Sequence, residues 1–308
     1  MNFITIADGV DMTDRFAAML KQESTSYSTQ SDYFSVFRDR TREEKKIDNC
    51  HDRVIDESWR EKICEWLYNI VDHFCYKREI VSITLNLFDR YLYICSQHST
   101  PVTSKLVQLI AVSALHITMK VDDSKLDHLP ILLELSRNIF SAKHVTTMEK
   151  SILHNLSWKI SPPTPFVFLQ HFLKLMPKVA DIVDLHTLYE SSQFLVELSV
   201  CDYYFVGIKP SSIALASLLN TIESILAKPL AMRTKNLLLK EVSSITGVLY
   251  TDEIRQCQFR LEDIFQPGDY DFDINDHRKS PVSVAKNPPY TIEENRQNEV
   301  ALYNVYSH

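Results

Sequence analysis

The chain has 308 residues, 45% of them hydrophobic, and carries a net charge of −7 with a pI near 5.9. That is enough for two ordinary domains, or one large one plus tails, and too apolar for a disordered chain, while the acidic balance argues against a nucleic-acid binder, which carries a basic face. Only 4 glycines occur, none between Gly9 and Gly207, where average usage gives roughly five times as many; sheets need glycine for tight turns, so the composition predicts an all-α fold.

The N-terminus lacks the cationic start and apolar run of a signal peptide, and no window approaches the ~20 apolar residues of a membrane span. The protein is therefore expected not to be secreted, and the cysteines (Cys50, Cys64, Cys75, Cys95, Cys201 and Cys257) to be reduced thiols. Residues 1–52 are polar and weakly periodic, and read as a loose arm with one short helix. Its basic stretch, Arg38 to Lys46, is interrupted by Asp39, Glu43 and Glu44 and reads as a solvated segment.

From Glu57 the pattern sharpens. Trp59, Ile63, Trp66, Leu67, Ile70, Val71 and Phe74 recur at three- and four-residue spacing, as one helical face requires. Ile80 to Ile94 repeats that rhythm. The segment Leu106–Met119 is apolar nearly all round, so other helices must enclose it. Helices over about 129–140 and 145–156 complete a unit of five spanning 53–161.

Pro162, Pro163 and Pro165 then break the chain, and Thr164-Pro165 looks like an N-cap with proline at the first helical position. Helices follow to Met176, over 185–200, over Ser211–Ile225 (again apolar nearly all round), over 232–245 and over 252–265. This second unit, 162–266, repeats the first in pattern, with a buried helix third in each set, and suggests a duplicated five-helix fold. Residues 267–308 read as a disordered tail.

No phosphate-binding loop, nucleophile elbow, zinc-protease or kinase motif occurs, and no cofactor is expected. The run Asp269 to Asn275 has calcium-loop spacing at its start but lacks the later glycine and glutamate. Cys64, His73 and Cys75 match no zinc pattern. His116 reads as a hydrogen-bonded core histidine. No metal site and no enzyme active site are expected.

Several segments together resemble the cyclin family. Trp59-Arg-Glu-Lys-Ile-Cys-Glu-Trp66-Leu is similar to its M-R-x-x-L-x-x-W-L, and Asn86-Leu-Phe-Asp-Arg-Tyr-Leu92 to N-x-x-D-R-[FY]-L. Gln108-Leu109 with Met119-Lys120-Val-Asp-Asp123 resembles Q-L-x(9)-S-K-x-E-E, and Thr147-Met-Glu149 to Trp158 the fifth helix. In the second unit, Phe194-Leu-Val-Glu-Leu-Ser199 and Tyr203 to Ala214 resemble F-L-x-E-L-S and Y-P-S-x-I-A. The resemblance covers about 53–265 and is nearest to two-box cell-cycle cyclins, D-like in the second half.

It implies two tandem cyclin boxes and a non-catalytic subunit that binds and activates a cyclin-dependent protein kinase, in the nucleus or cytoplasm. Lys120, Val121, Glu149, Leu153 and Trp158 are the implied kinase-binding residues. Trp59, Ile63, Trp66 and Gln108 take the positions of a docking patch for kinase substrates or inhibitors, although Glu61 and Lys62 depart from the family's small and aliphatic residues. Arg60 and Asp89 are the implied structural ion pair. Ser280-Pro281, after Arg278-Lys279, is a candidate proline-directed phosphosite. No nucleic-acid or membrane partner is expected; the alternatives are a cyclin-fold scaffold, or a transcription-factor-like binding protein without kinase activation.

Overall fold

The computed structural model describes residues 9–30, 32–47, 55–98, 102–123, 127–177, 185–265 and Pro281. Among them it contains 12 α-helices and no strand. Ser280, the calcium-like run and nearly all of the expected tail lie outside the described residues.

The first unit comprises α3 (Glu57–His73), α4 (Glu79–Gln97), α5 (Ser104–Asp122), α6 (Leu129–Leu135) and α7 (Ala142–Asn155). Helix α5 starts cleanly because the Thr103 hydroxyl accepts the Leu106 amide, and α7 because Ser141 and His144 form a capping box. Every residue from Ile110 to Met119 is buried, so α4 and α7 enclose α5 in a core built around Leu67, Phe88, Leu115 and Ile152. One expectation is corrected here: α5 is long and apolar enough, by length and composition, to cross a membrane. Neighbouring helices cover its apolar faces instead.

The second unit comprises α8 (Pro165–Lys174), α9 (Leu185–Cys201), α10 (Pro210–Ile225), α11 (Lys228–Thr246) and α12 (Asp252–Ile264). Thr164 caps α8 with proline behind it, as its sequence predicts. Ser211 to Ile222 of α10 are all buried against α8, α9 and α12. In both units the third helix is the axis.

The arm differs from expectation. It holds two long helices, α1 (Gly9–Thr25) and α2 (Tyr33–Ile47). Phe16 of α1 is fully buried in the second core, stacked on Phe172, and Glu23 accepts hydrogen bonds from the Ser211 amide and hydroxyl at the start of α10. Tyr33, Phe34 and Phe37 of α2 enter the first core. A few large anchors on otherwise polar helices seat the arm, too few to give a strong periodic signal.

Helix ends show how so few glycines suffice. Gly247 closes α11 in the left-handed region. Elsewhere Cys75, Arg137, Asn138, Ser157 and Trp158 take positive φ between 51° and 61°, where an L-residue costs roughly 1–2 kcal/mol. The Arg137–Asn138 pair ends α6 earlier than the spacing of apolar residues suggests.

Polar contacts tie the units together. The Tyr68 hydroxyl donates to the Glu197 carbonyl at 3.3 Å, and Arg78 binds both Asp72 and Glu197 at 2.8 Å. Burial raises the Glu197 carboxyl above its ordinary range even with Arg78 beside it. The Thr164 hydroxyl, which caps α8, also reaches Glu79 at the start of α4.

Candidate functional site

Lys120 stands in the last turn of α5, where the helix dipole favours a cation. Its Nζ lies 2.7 Å from Oε1 of Glu149 on α7, and His116, one turn back, brings Nδ1 to the same oxygen at 2.7 Å. Glu149 is buried while the Lys120 side chain remains 44% exposed. Both approaches are short but poorly aligned for hydrogen bonding, so the attraction of the Lys120 ammonium for the Glu149 carboxylate, more than a directed bond, holds that pair. Burial pushes the Glu149 carboxyl up; the contacts with His116 and Lys120 more than reverse this and hold it below the usual glutamate value.

Apolar residues flank the cluster along the chain on α5 and after α7. Val121 is 56% exposed and Trp158 is 71% exposed, while Leu153 is half-buried on the first core. Trp158 projects because Ser157 and Trp158 are both left-handed, with the Trp158 amide donating to the Leu153 carbonyl at 2.9 Å. Sequence reasoning missed Ile131 on α6 and Ile139 just beyond it, both exposed. It also missed that His116 shares Glu149. The four-residue spacing from His116 to Lys120 was the available signal, since it puts both on one face of α5.

The structure brings Arg60 and Asp89 together and gives them more to do than join α3 to α4. Arg60 Nε lies 3.0 Å from Asp89 Oδ1, the Tyr33 hydroxyl of α2 donates to the same oxygen at 2.7 Å, and Arg60 Nη1 donates to the Val200 carbonyl at 3.0 Å. All three side chains are buried. One guanidinium thus joins both units, and its carboxylate partner also holds α2.

The second surface is less developed. Ile63 is buried in the core, Trp59 and Trp66 are half-buried against it, and only Gln108 is exposed. Lys62 is exposed beside them. Among the described residues no group of His, Cys, Asp and Glu could hold a metal ion.

Two five-helix units, each wrapped about a buried third helix, define a duplicated all-helical fold. Residues 14–161 match the family model for the cyclin N-terminal domain, and residues 163–273 that for the cyclin C-terminal domain. The chain belongs to the cyclin family, as a two-box cyclin. The G2/mitotic-specific cyclin-B2 of Oryzias luzonensis is 29% identical over 165 residues, 53% of this chain and 40% of that protein. The G2/mitotic-specific cyclin-1 of Antirrhinum majus is 32% identical over 163 residues, 53% of this chain and 32% of that protein. The chain thus spans less than half the length of these relatives, whose names are mitotic. A viral cyclin from herpesvirus saimiri, solved by X-ray crystallography, has the same fold, with a TM-score of 0.52 at 18% identity over 85% of this chain and 99% of the viral one.

Proposed function

We propose that the chain is a regulatory subunit, without catalysis of its own, that binds and activates a cyclin-dependent serine/threonine protein kinase in cell-cycle control, in the nucleus or cytoplasm. The observation that carries this reading is the Lys120–Glu149–His116 cluster with Val121 and Trp158 bare beside it. A half-exposed cation whose carboxylate partner is already buried has donors left for a second protein. Exposed aromatic and aliphatic neighbours exclude water from that contact once it forms, the arrangement that concentrates binding energy in a few side chains.

Activation then follows from differential affinity. The family resemblance implies that this face docks on the kinase helix carrying the active-site glutamate, and favours the position in which that glutamate pairs with the ATP-binding lysine. The Trp59–Trp66 surface is a weaker candidate for substrate or inhibitor docking, because Ile63 is buried and Lys62 repels basic motifs.

The test is recovery of a kinase from lysate by the tagged chain, followed by histone phosphorylation with the eluate. We expect an active kinase, and at least a tenfold weaker complex with Trp158→Ala while helical content is unchanged. A kinase bound as tightly by Trp158→Ala and by Lys120→Ala would remove this face from the mechanism. A bound but inactive kinase would make the protein a scaffold.

A further inference from the structure

The connection between α1 and α2 carries a hydroxyl on every residue from Ser24 to Thr29. It lies over Arg90 of α4. The Tyr27 ring sits 5.0 Å from the Arg90 guanidinium, and the Asn86 side-chain amide donates to the Tyr27 carbonyl at 3.3 Å and to the Thr29 hydroxyl at 3.4 Å. These contacts hold the loop in place.

Arg90 is 8% exposed, yet its hydrogen bonds go only to neutral acceptors, the Lys159 carbonyl at 2.8 Å and Asn86 Oδ1 at 3.4 Å. Among the described residues it enters no ion pair. Burial accordingly lowers its pKa, and no carboxylate opposes the shift. The neighbouring Asp89 is committed to Arg60. A buried cation left without an acid calls for an anion.

A cleft of about 240 Å³ opens beside it, lined by Arg90, Lys159, Asn155, Ser28 and Thr29 and, among the described residues, by no carboxylate. Two cations, an amide and hydroxyls are the donor set a phosphate takes, with its near-double negative charge and three acceptor oxygens. Of the loop hydroxyls, Thr25 already donates to the Lys21 carbonyl and Thr29 receives Asn86. Ser28 is exposed and its hydroxyl makes no hydrogen bond among the described residues.

We propose that this cleft is a phosphate-monoester site and that Ser28 phosphorylation on the chain's own loop fills it, with Arg90 and Lys159 as the cations. The modification clamps the connection at the point where the chain leaves α1 on the second unit for α2 on the first.

The test uses the full chain with phosphoserine incorporated at position 28, followed by phosphorus NMR against pH. The folded phosphate should titrate about one pH unit below the same group in the urea-unfolded chain, because adjacent cations favour its dianion. The difference should shrink in Lys159→Gln, which keeps the backbone carbonyl that Arg90 uses. Equal midpoints in folded and unfolded chains would overturn the proposal, as would a difference untouched by Lys159→Gln. Inorganic phosphate provides the other arm. It should bind the unmodified chain and be excluded from the phosphorylated one; equal binding to both would mean that the cleft takes its phosphate from elsewhere.

Discussion

The third and fifth helices meet in both units, and they meet differently. In the first, α5 and α7 share the Glu149 cluster, in which Lys120 alone reaches solvent. In the second, α10 and α12 share a neutral lock: the Asn220 amide donates to the Gln258 carbonyl at 2.9 Å, the Gln258 amide returns a bond to Asn220 Oδ1 at 2.7 Å, and the Tyr250 hydroxyl donates to Gln258 Oε1 at 2.8 Å. Exposed apolar residues occur in both units, Phe259 and Met232 in the second among them. What differs is the polar group between the helices. A closed amide network satisfies itself and rigidifies, whereas a buried carboxylate with a half-exposed lysine keeps capacity for a partner. One repeated fold thus carries a half-open charged contact in its first unit and a closed amide seam in its second.

The largest expected effect breaks what the two units share. Arg60→Ala strands Asp89 and the Val200 carbonyl in the interior and should cost about 3–5 kcal/mol in urea unfolding. All three tryptophans, Trp59, Trp66 and Trp158, lie in the first unit, so their fluorescence reports that unit while far-ultraviolet dichroism reports both. The two transitions should stay coincident. If fluorescence moves to lower urea and dichroism becomes biphasic, the units are independent.

Next comes the seam. Gln258→Leu keeps the main-chain carbonyl that the Asn220 amide uses but strands Asn220 Oδ1 and the Tyr250 hydroxyl, and should destabilise by about 1–3 kcal/mol, with no change in kinase recovery. Weaker kinase binding at unchanged helicity would place the second unit in the interface and dissolve the contrast. Trp158→Ala should do the reverse. With its side chain largely in solvent it should shift stability by no more than about 0.5 kcal/mol and weaken the kinase complex.

The smallest effect is on acid stability. The folded Glu149 carboxyl sits below its unfolded value, so its contribution is complete above the unfolded value and is lost as pH falls through the folded one. Melting temperatures measured from pH 7 to pH 3 should therefore fall more steeply for the native chain than for Glu149→Gln. Parallel curves would remove Glu149 from the linkage.

Much of this was legible in the chain itself. The helices of both units could be placed because their apolar residues recur with helical period, and α5 and α10 could be recognised as central because they are apolar all round. The Arg60–Asp89 and Lys120–Glu149 pairs were accessible through motif resemblance. The arm was underread because Phe16 and Tyr33 are anchors on otherwise polar helices, and anchoring depends on a distant pocket. Contacts such as Arg60 to Val200, 140 positions apart, leave no local trace, since a backbone carbonyl has no sequence signature. The unpaired state of Arg90 was hidden for the same reason: what a cation lacks appears only when its surroundings are drawn.

The seam between the two units has a further consequence. Arg60, Tyr68 and Arg78 from the first and the 197–200 stretch of the second complete each other's hydrogen bonding, so neither half carries a finished surface of its own. A gene split in the Ile160–Thr164 linker would yield two fragments, each with bare buried donors or acceptors where the other belongs. They should be insoluble or molten when made singly and should recover structure when made together.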